Sequence, residues 1–167
     1  MKKFVPSIIM CLSLCLFIYV FYRTEKTLVN YVAVALLSKG GYEGIKEIII
    51  SVLPLKDAIV YSLPEGLWVF CITITSSFFY IRVRRRRYGL TMIPILLAIG
   101  MEVFQLLGIS NGRFDYMDIL LSAAFWLLAV YITRNNPDKE PIFQPLNARV
   151  IFCASNYAIV YMAHVCY

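Results

Sequence analysis

The chain has 167 residues, 60% of them hydrophobic, with a mean hydropathy of +0.73. A soluble domain of this length usually carries about 45–50% apolar residues, and the excess here comes in blocks, which excludes an ordinary water-soluble globular domain. The net charge of +6 sits between those blocks, so it reads as a signal of membrane topology rather than as a nucleic-acid footprint.

A bilayer core about 30 Å thick takes roughly 20 apolar residues of helix at about 1.5 Å each. The first block is residues 4–22. Its Lys2–Lys3 start resembles a signal peptide, but the run ends "FIYVFYRTEK" without a small-x-small site. "LSLC" at Cys15 has Leu14 where a lipoprotein site wants a small residue, so the block reads as a retained anchor. Residues 28–55 follow as an outer segment. "LVNYVAVALL" is apolar but too short to span, "SKGGYEG" breaks it, and "IKEIIISVL" puts Ile45, Ile48, Ile49 and Val52 on one helical face. That pattern predicts a short amphipathic helix on the outer membrane surface, with a re-entrant hairpin as the alternative. Pro54 ends it.

"SLPE" then opens the second span, residues 63–81, with Ser62 as N-cap, Pro64 in the first turn and Glu65 at the capping-box position. "RVRRRR" at residues 82–87 separates it from the third span, residues 90–107, which holds Glu102 and Gln105. The fourth span is residues 117–133. "TRNNPDKEPIFQP" is a turn-rich connection, and residues 150–167 form the fifth span. Backbone groups in lipid must be satisfied internally, so the spans are helices. The fold expected is all-α: a single membrane domain over residues 1–167, a polytopic transmembrane helical bundle of about five spans. The arginine run stays cytoplasmic, and alternation puts Lys2, Lys3, Arg134, Lys139 and Arg149 on its side. The N-terminus is then inside, the C-terminus outside, and the loop over residues 111–118 faces out. The localisation expected is a bacterial cytoplasmic (inner) membrane.

The cysteines Cys11, Cys15, Cys71, Cys153 and Cys166 all fall in spans without metal-ligand spacing, so they read as small apolar packers, Cys166 being the one near an outer end. His164 is the sole histidine and reads as an interfacial side chain. No metal site and no cofactor is expected.

The polar residues around the third span carry the chemistry. Glu102 and Gln105 share a helix face. Glu102 lies about 9 Å below the outer edge at about 1.5 Å per residue. A carboxylate there costs several kcal/mol unless paired or hydrated. Arg113 is the nearest counter-ion in sequence. Asp115 can cap the fourth helix, with Asp118 one turn in, favourable at a helix N-terminus. One reading is structural: a salt bridge and a cap holding two helices in register. The other is a polar pocket at the outer leaflet, with Glu102, Gln105, Arg113, Asp115 and Asp118 as ligand-binding residues and Arg113 available to a phosphate or carboxylate.

"E-x-x-Q" at Glu102 and Gln105, followed by "GRFDYMD" from Gly112 to Asp118, resembles the signature of the VanZ-like family of small bacterial membrane proteins. "LPEGLW" from Leu63 to Trp68 is similar to the start of the second span in some relatives. The resemblance covers about half the chain. Ser122 stands where the family often has Asn, Phe125 where it often has Gly, and the fifth span is additional. It implies a cell-envelope protein, some of whose members are associated with glycopeptide resistance, and it supplies no reaction. Three function classes follow. One is a VanZ-like protein engaging an anionic or lipid-linked headgroup, its partner a membrane lipid or lipid-linked precursor. The second is a non-catalytic subunit of a larger membrane protein complex. The third is a membrane enzyme using Glu102 as general acid or base.

Overall fold

The computed structural model describes residues 1–23, 28–109, 113–135, 139–143 and 147–165. Cys166 and the Ser110–Gly112 part of the outer loop lie outside the described residues, as does the side chain of His164. The chain is mostly helical: α1 (Val5–Phe21), α2 (Leu28–Leu37), α3 (Lys39–Val52), α4 (Asp57–Ser76), α5 (Ile93–Leu106), α6 (Tyr116–Thr133) and α7 (Ala148–Val165). Three stretches are long and apolar enough to cross a membrane: Lys2–Phe21, Asp57–Ser76 and Tyr116–Thr133. The apolar helices Leu90–Leu106 and Ala148–Val160 are shorter.

Helix α4 is the centre. It packs against α1, α5, α6 and α7, and Glu65 to Ser76 is buried without a break. The other helices bury one face and leave the opposite one apolar and exposed, as at Met10, Leu96, Leu120 and Leu127. Phe4, Ile8, Cys11 and Cys15 of the N-terminal helix pack on Leu67, Phe70, Cys71 and Ile74 of α4. The described cysteines are free and buried, Cys11, Cys15, Cys71 and Cys153 alike.

The helix count is not all of the fold. The expected second span, residues 63–81, ends as helix at Ser76, and its last residues join the arginine run in a hairpin of β1 (Phe79–Val83) and β2 (Arg86–Gly89), paired from Tyr80–Gly89 to Val83–Arg86. The turn-rich connection supplies β3 (Glu140–Pro141), parallel to β1. The aromatic and β-branched "FYIRV" suits a strand, and β3 docks through Glu140 N–H to the Phe78 carbonyl (2.8 Å) and Ile142 N–H to that of Tyr80 (3.1 Å). Glu140 then binds Arg149 (2.6 Å) and Asn147 (3.2 Å). Asn147 in turn accepts from the amides of Arg149 and Val150, starting α7.

Local expectations change in part. "SKGGYEG" breaks the outer segment at Ser38 alone, at φ 61°, between α2 and α3, and its remaining residues are helical within α3. Residues Ile45, Ile48 and Val52 of α3 are exposed. Tyr22 Oη donates to Leu53 O (2.6 Å), and Lys46 Nζ to Arg23 O (3.1 Å), holding α3 on the end of α1. The second long helix starts at Asp57, not near Ser62, because an acidic first turn and the helix-competent "AIVY" precede the apparent capping box. Ser62 is therefore no cap, Pro64 sits inside the helix, and Glu65 is buried within α4.

Gly66 explains a close approach between α4 and α6. A Cβ there would lie 2.5 Å from Cδ2 of Phe125 on α6, so the large side chain on α6 is accommodated by the absent one on α4. We expect Gly66→Ala to cost about 1–3 kcal/mol through overpacking, with Phe125→Ala in the same chain recovering part of it. Unfolding midpoints of the single and double variants in detergent check this. Equal losses that simply add would show that the two positions do not compete for space.

Candidate functional site

The end of the bundle away from the sheet gathers the C-terminal ends of α1 and α5 and the N-terminal ends of α4 and α6. Helix α5 stops in a C-cap that needs glycine. Gly108 has φ +66°, its N–H bonds Gln105 O (3.0 Å), and that of Ile109 bonds Phe104 O (2.9 Å). Asp115 caps α6, its Oδ1 accepting from Met117 N–H at 2.9 Å. The Asp115 N–H donates to Glu102 Oε2 at 3.0 Å. One bond thus joins α5 to the start of α6.

Glu102 is 4% exposed. Its other oxygen, Oε1, accepts from no described residue. Asp118, Glu65 and Asp115 are close enough for their carboxyls to act on it. Glu65 and Asp115 likewise act on Asp118, which the Ser62 hydroxyl faces. Glu65 itself accepts from Trp68 Nε1 at 2.9 Å. Ser122, one turn beyond Asp118 on the same face of α6, is 1% exposed with an unpartnered hydroxyl. Gln105 Oε1 and Asp118 Oδ1 are also enclosed without a hydrogen-bond partner among the described residues.

The expected Glu102–Arg113 ion pair does not form. Arg113 is exposed, and the ion pairs among the described residues are Lys39–Glu43 and Arg149–Glu140. The Asp115 amide takes the place nearest Glu102, and a solvated guanidinium loses less than a buried one. Glu102, Asp115 and Asp118 come together, Gln105 lies one turn along α5 from Glu102, and Arg113 stays on the rim.

The cation that reaches this region is Arg23, which sequence reasoning passed over. Pro64 has no N–H, so the Val60 carbonyl lacks its helical donor. Arg23 supplies one: Nε donates to Val60 O (3.5 Å) and an Nη to Tyr61 O (2.8 Å). The guanidinium lies over the rings of Tyr19 (4.5 Å) and Tyr61 (5.5 Å), and its charge acts on Asp118. An arginine one residue past an apolar span, with a proline about two turns into a later helix, is the signal that could have found it.

Comparison with known proteins yields no matching family model, no matching curated protein and no matching solved structure.

Removing the Arg23 guanidinium leaves the Val60 carbonyl short of a donor and takes a second donor from that of Tyr61. We expect Arg23→Met to lower stability by about 1–3 kcal/mol, and by clearly less in a Pro64→Ala background, where the backbone donor returns. A double-mutant cycle on thermal midpoints measures this. The same loss in both backgrounds would refute the role given to Arg23.

Proposed function

We propose that this chain is a VanZ-like cell-envelope membrane protein that engages the polar headgroup of a lipid or lipid-linked precursor at the outer leaflet. The observation that carries the reading is Glu102: almost wholly buried, held by one backbone amide, surrounded by carboxyls and without a basic partner among the described residues. A buried ionisable group inside a membrane bundle points to function by default. Three further carboxyls and the Ser122 hydroxyl supply acceptors for a headgroup's hydroxyl or amine donors. Exposed Arg113 and the Arg23 guanidinium at the rim suit its phosphate. With the family resemblance, a contribution to glycopeptide resistance belongs to the same proposal.

The topology proposed with it has five spans in a single membrane domain of an inner membrane. The sheet end is cytoplasmic because the arginine hairpin, Lys2, Lys3, Arg134, Lys139 and Arg149 all belong to it. Helices α2 and α3 lie at the outer surface, where the exposed Ile45, Ile48 and Val52 meet lipid. Single cysteines placed at 43 and 84 in a cysteine-free chain test this. Position 43 reacts with an impermeant reagent added outside intact cells, and position 84 reacts only after lysis. The reverse pattern overturns the orientation.

The bond from the Asp115 amide favours a second, structural reading, in which Glu102 only ties α5 to α6. Glu102→Gln separates the two. Gln keeps an acceptor for the amide and removes one of four mutually repelling charges, so stability should hold within about 1 kcal/mol. Retention of co-purifying lipid, read by native mass spectrometry, should fall at least tenfold. Unchanged lipid retention with a lowered melting temperature would instead establish the structural role.

A further inference from the structure

The opposite end of the bundle holds a second feature that the acidic site does not use. Between the N-terminal ends of α1 and α7 lies an open cleft of about 600 Å³. Its walls are apolar, Val5 of α1 and Phe152 of α7 among them, and Lys2, Lys3 and Arg149 border it. Neither lysine has a carboxylate partner among the described residues. Arg149 is held by Glu140 through one nitrogen, which fixes the guanidinium and leaves donors on its other nitrogens. Phe4 meets Phe78 at 6.0 Å, so the cleft sits at the same end as the arginine hairpin that follows α4. The field there is positive from several sides.

We propose that this cleft binds an anionic phospholipid of the cytoplasmic leaflet, its phosphate on Lys2, Lys3 and Arg149 and an acyl chain against Val5 and Phe152. The proposal rests on the membrane placement above but not on the outer site. Charge complementarity selects the headgroup, since the three border cations carry one neutralising carboxylate among them. Apolar walls between two helices select the chain: a free phosphate would leave them wet, and an acyl chain covers them. Basic pockets between spans on the cytoplasmic side take acidic headgroups for these reasons. The attraction is local, because the screening length is about 8 Å at physiological salt.

The test uses the full chain in nanodiscs and detergent, with dioleoyl-phosphatidylglycerol as probe and dioleoyl-phosphatidylcholine as its zwitterionic control. Phosphatidylglycerol should raise the melting temperature and persist as a bound adduct in native mass spectra, and phosphatidylcholine should do neither. Lys2→Gln with Lys3→Gln should weaken the effect about 25-fold, roughly five-fold per lysine. Arg84→Gln with Arg85→Gln, on the exposed hairpin turn, should leave it within about two-fold. Equal binding of phosphatidylcholine overturns the proposal. So does equal loss in the hairpin variant, which would show only general attraction, or the same stabilisation by inorganic phosphate. A chain that does not remain in nanodiscs of any composition refutes the membrane placement too. One that remains there without preferring phosphatidylglycerol refutes this inference alone.

Discussion

The burial of α4 on every side is the constraint from which the other features follow. A helix enclosed by α1, α5, α6 and α7 must find partners for its polar atoms inside the bundle, since an unpaired buried group costs about 1–3 kcal/mol. Some are settled locally. Thr75 bonds back to the carbonyls of Cys71 and Ile72, and Ser77 to that of Ile74. Ser76 meets the Tyr157 hydroxyl of α7 at 2.7 Å. Pro64 cannot be settled locally, because the donor itself is missing. The solution comes from another element, and it brings the guanidinium of Arg23 to the acidic end.

That same burial explains why α4 can be rich in small and hydroxylated residues without losing its place. Gly66 lets Phe125 approach, the Thr75 hydroxyl folds back onto its own backbone, and those of Ser62 and Ser76 meet side chains of α6 and α7. The carboxyls stand apart from this pattern. Glu65 has the Trp68 indole, but Glu102 and Asp118 keep oxygens that nothing described satisfies. Polar atoms that the fold leaves unpaired, in a bundle that pairs most others, are where a ligand has something to gain. The two ends also differ in sign, with carboxyls clustered at one and arginines and lysines at the other, so they select different chemistry.

Much of the helical skeleton was legible because apolar blocks of span length are a composition signal that tertiary context does not reverse. The first, second and fourth blocks correspond to α1, α4 and α6. The Asp115 cap was legible too, since an N-cap is decided within three residues. What escaped was non-local. "SLPE" satisfies the capping-box pattern in isolation, and the helix instead runs through Pro64, with Arg23 donating to the carbonyls of Val60 and Tyr61. β3 is two residues long and exists only because β1 offers an edge. Proximity in sequence points to Arg113 as the partner of Glu102, and a backbone amide nearer in space takes its place.

The displacement changes what Glu102 can do. An arginine partner would occupy both carboxylate oxygens in a bidentate pair, leaving a closed structural bridge. The Asp115 amide occupies Oε2 alone. The residue is thereby divided: one oxygen fixes the α5–α6 connection and the rotamer, and the other has no donor among the described residues, with the carboxyls of Asp118 and Glu65 close enough to act on the group. Fixing one half pre-orders the other, so a donor arriving at Oε1 pays little further ordering entropy. In a glutamine at this position the amide oxygen is the only acceptor for the Asp115 N–H, which turns the NH₂ toward the carboxyls. The atom facing the site then changes from acceptor to donor. The exchange preserves the tether and inverts the chemistry, because the tether and the site use different oxygens of one side chain.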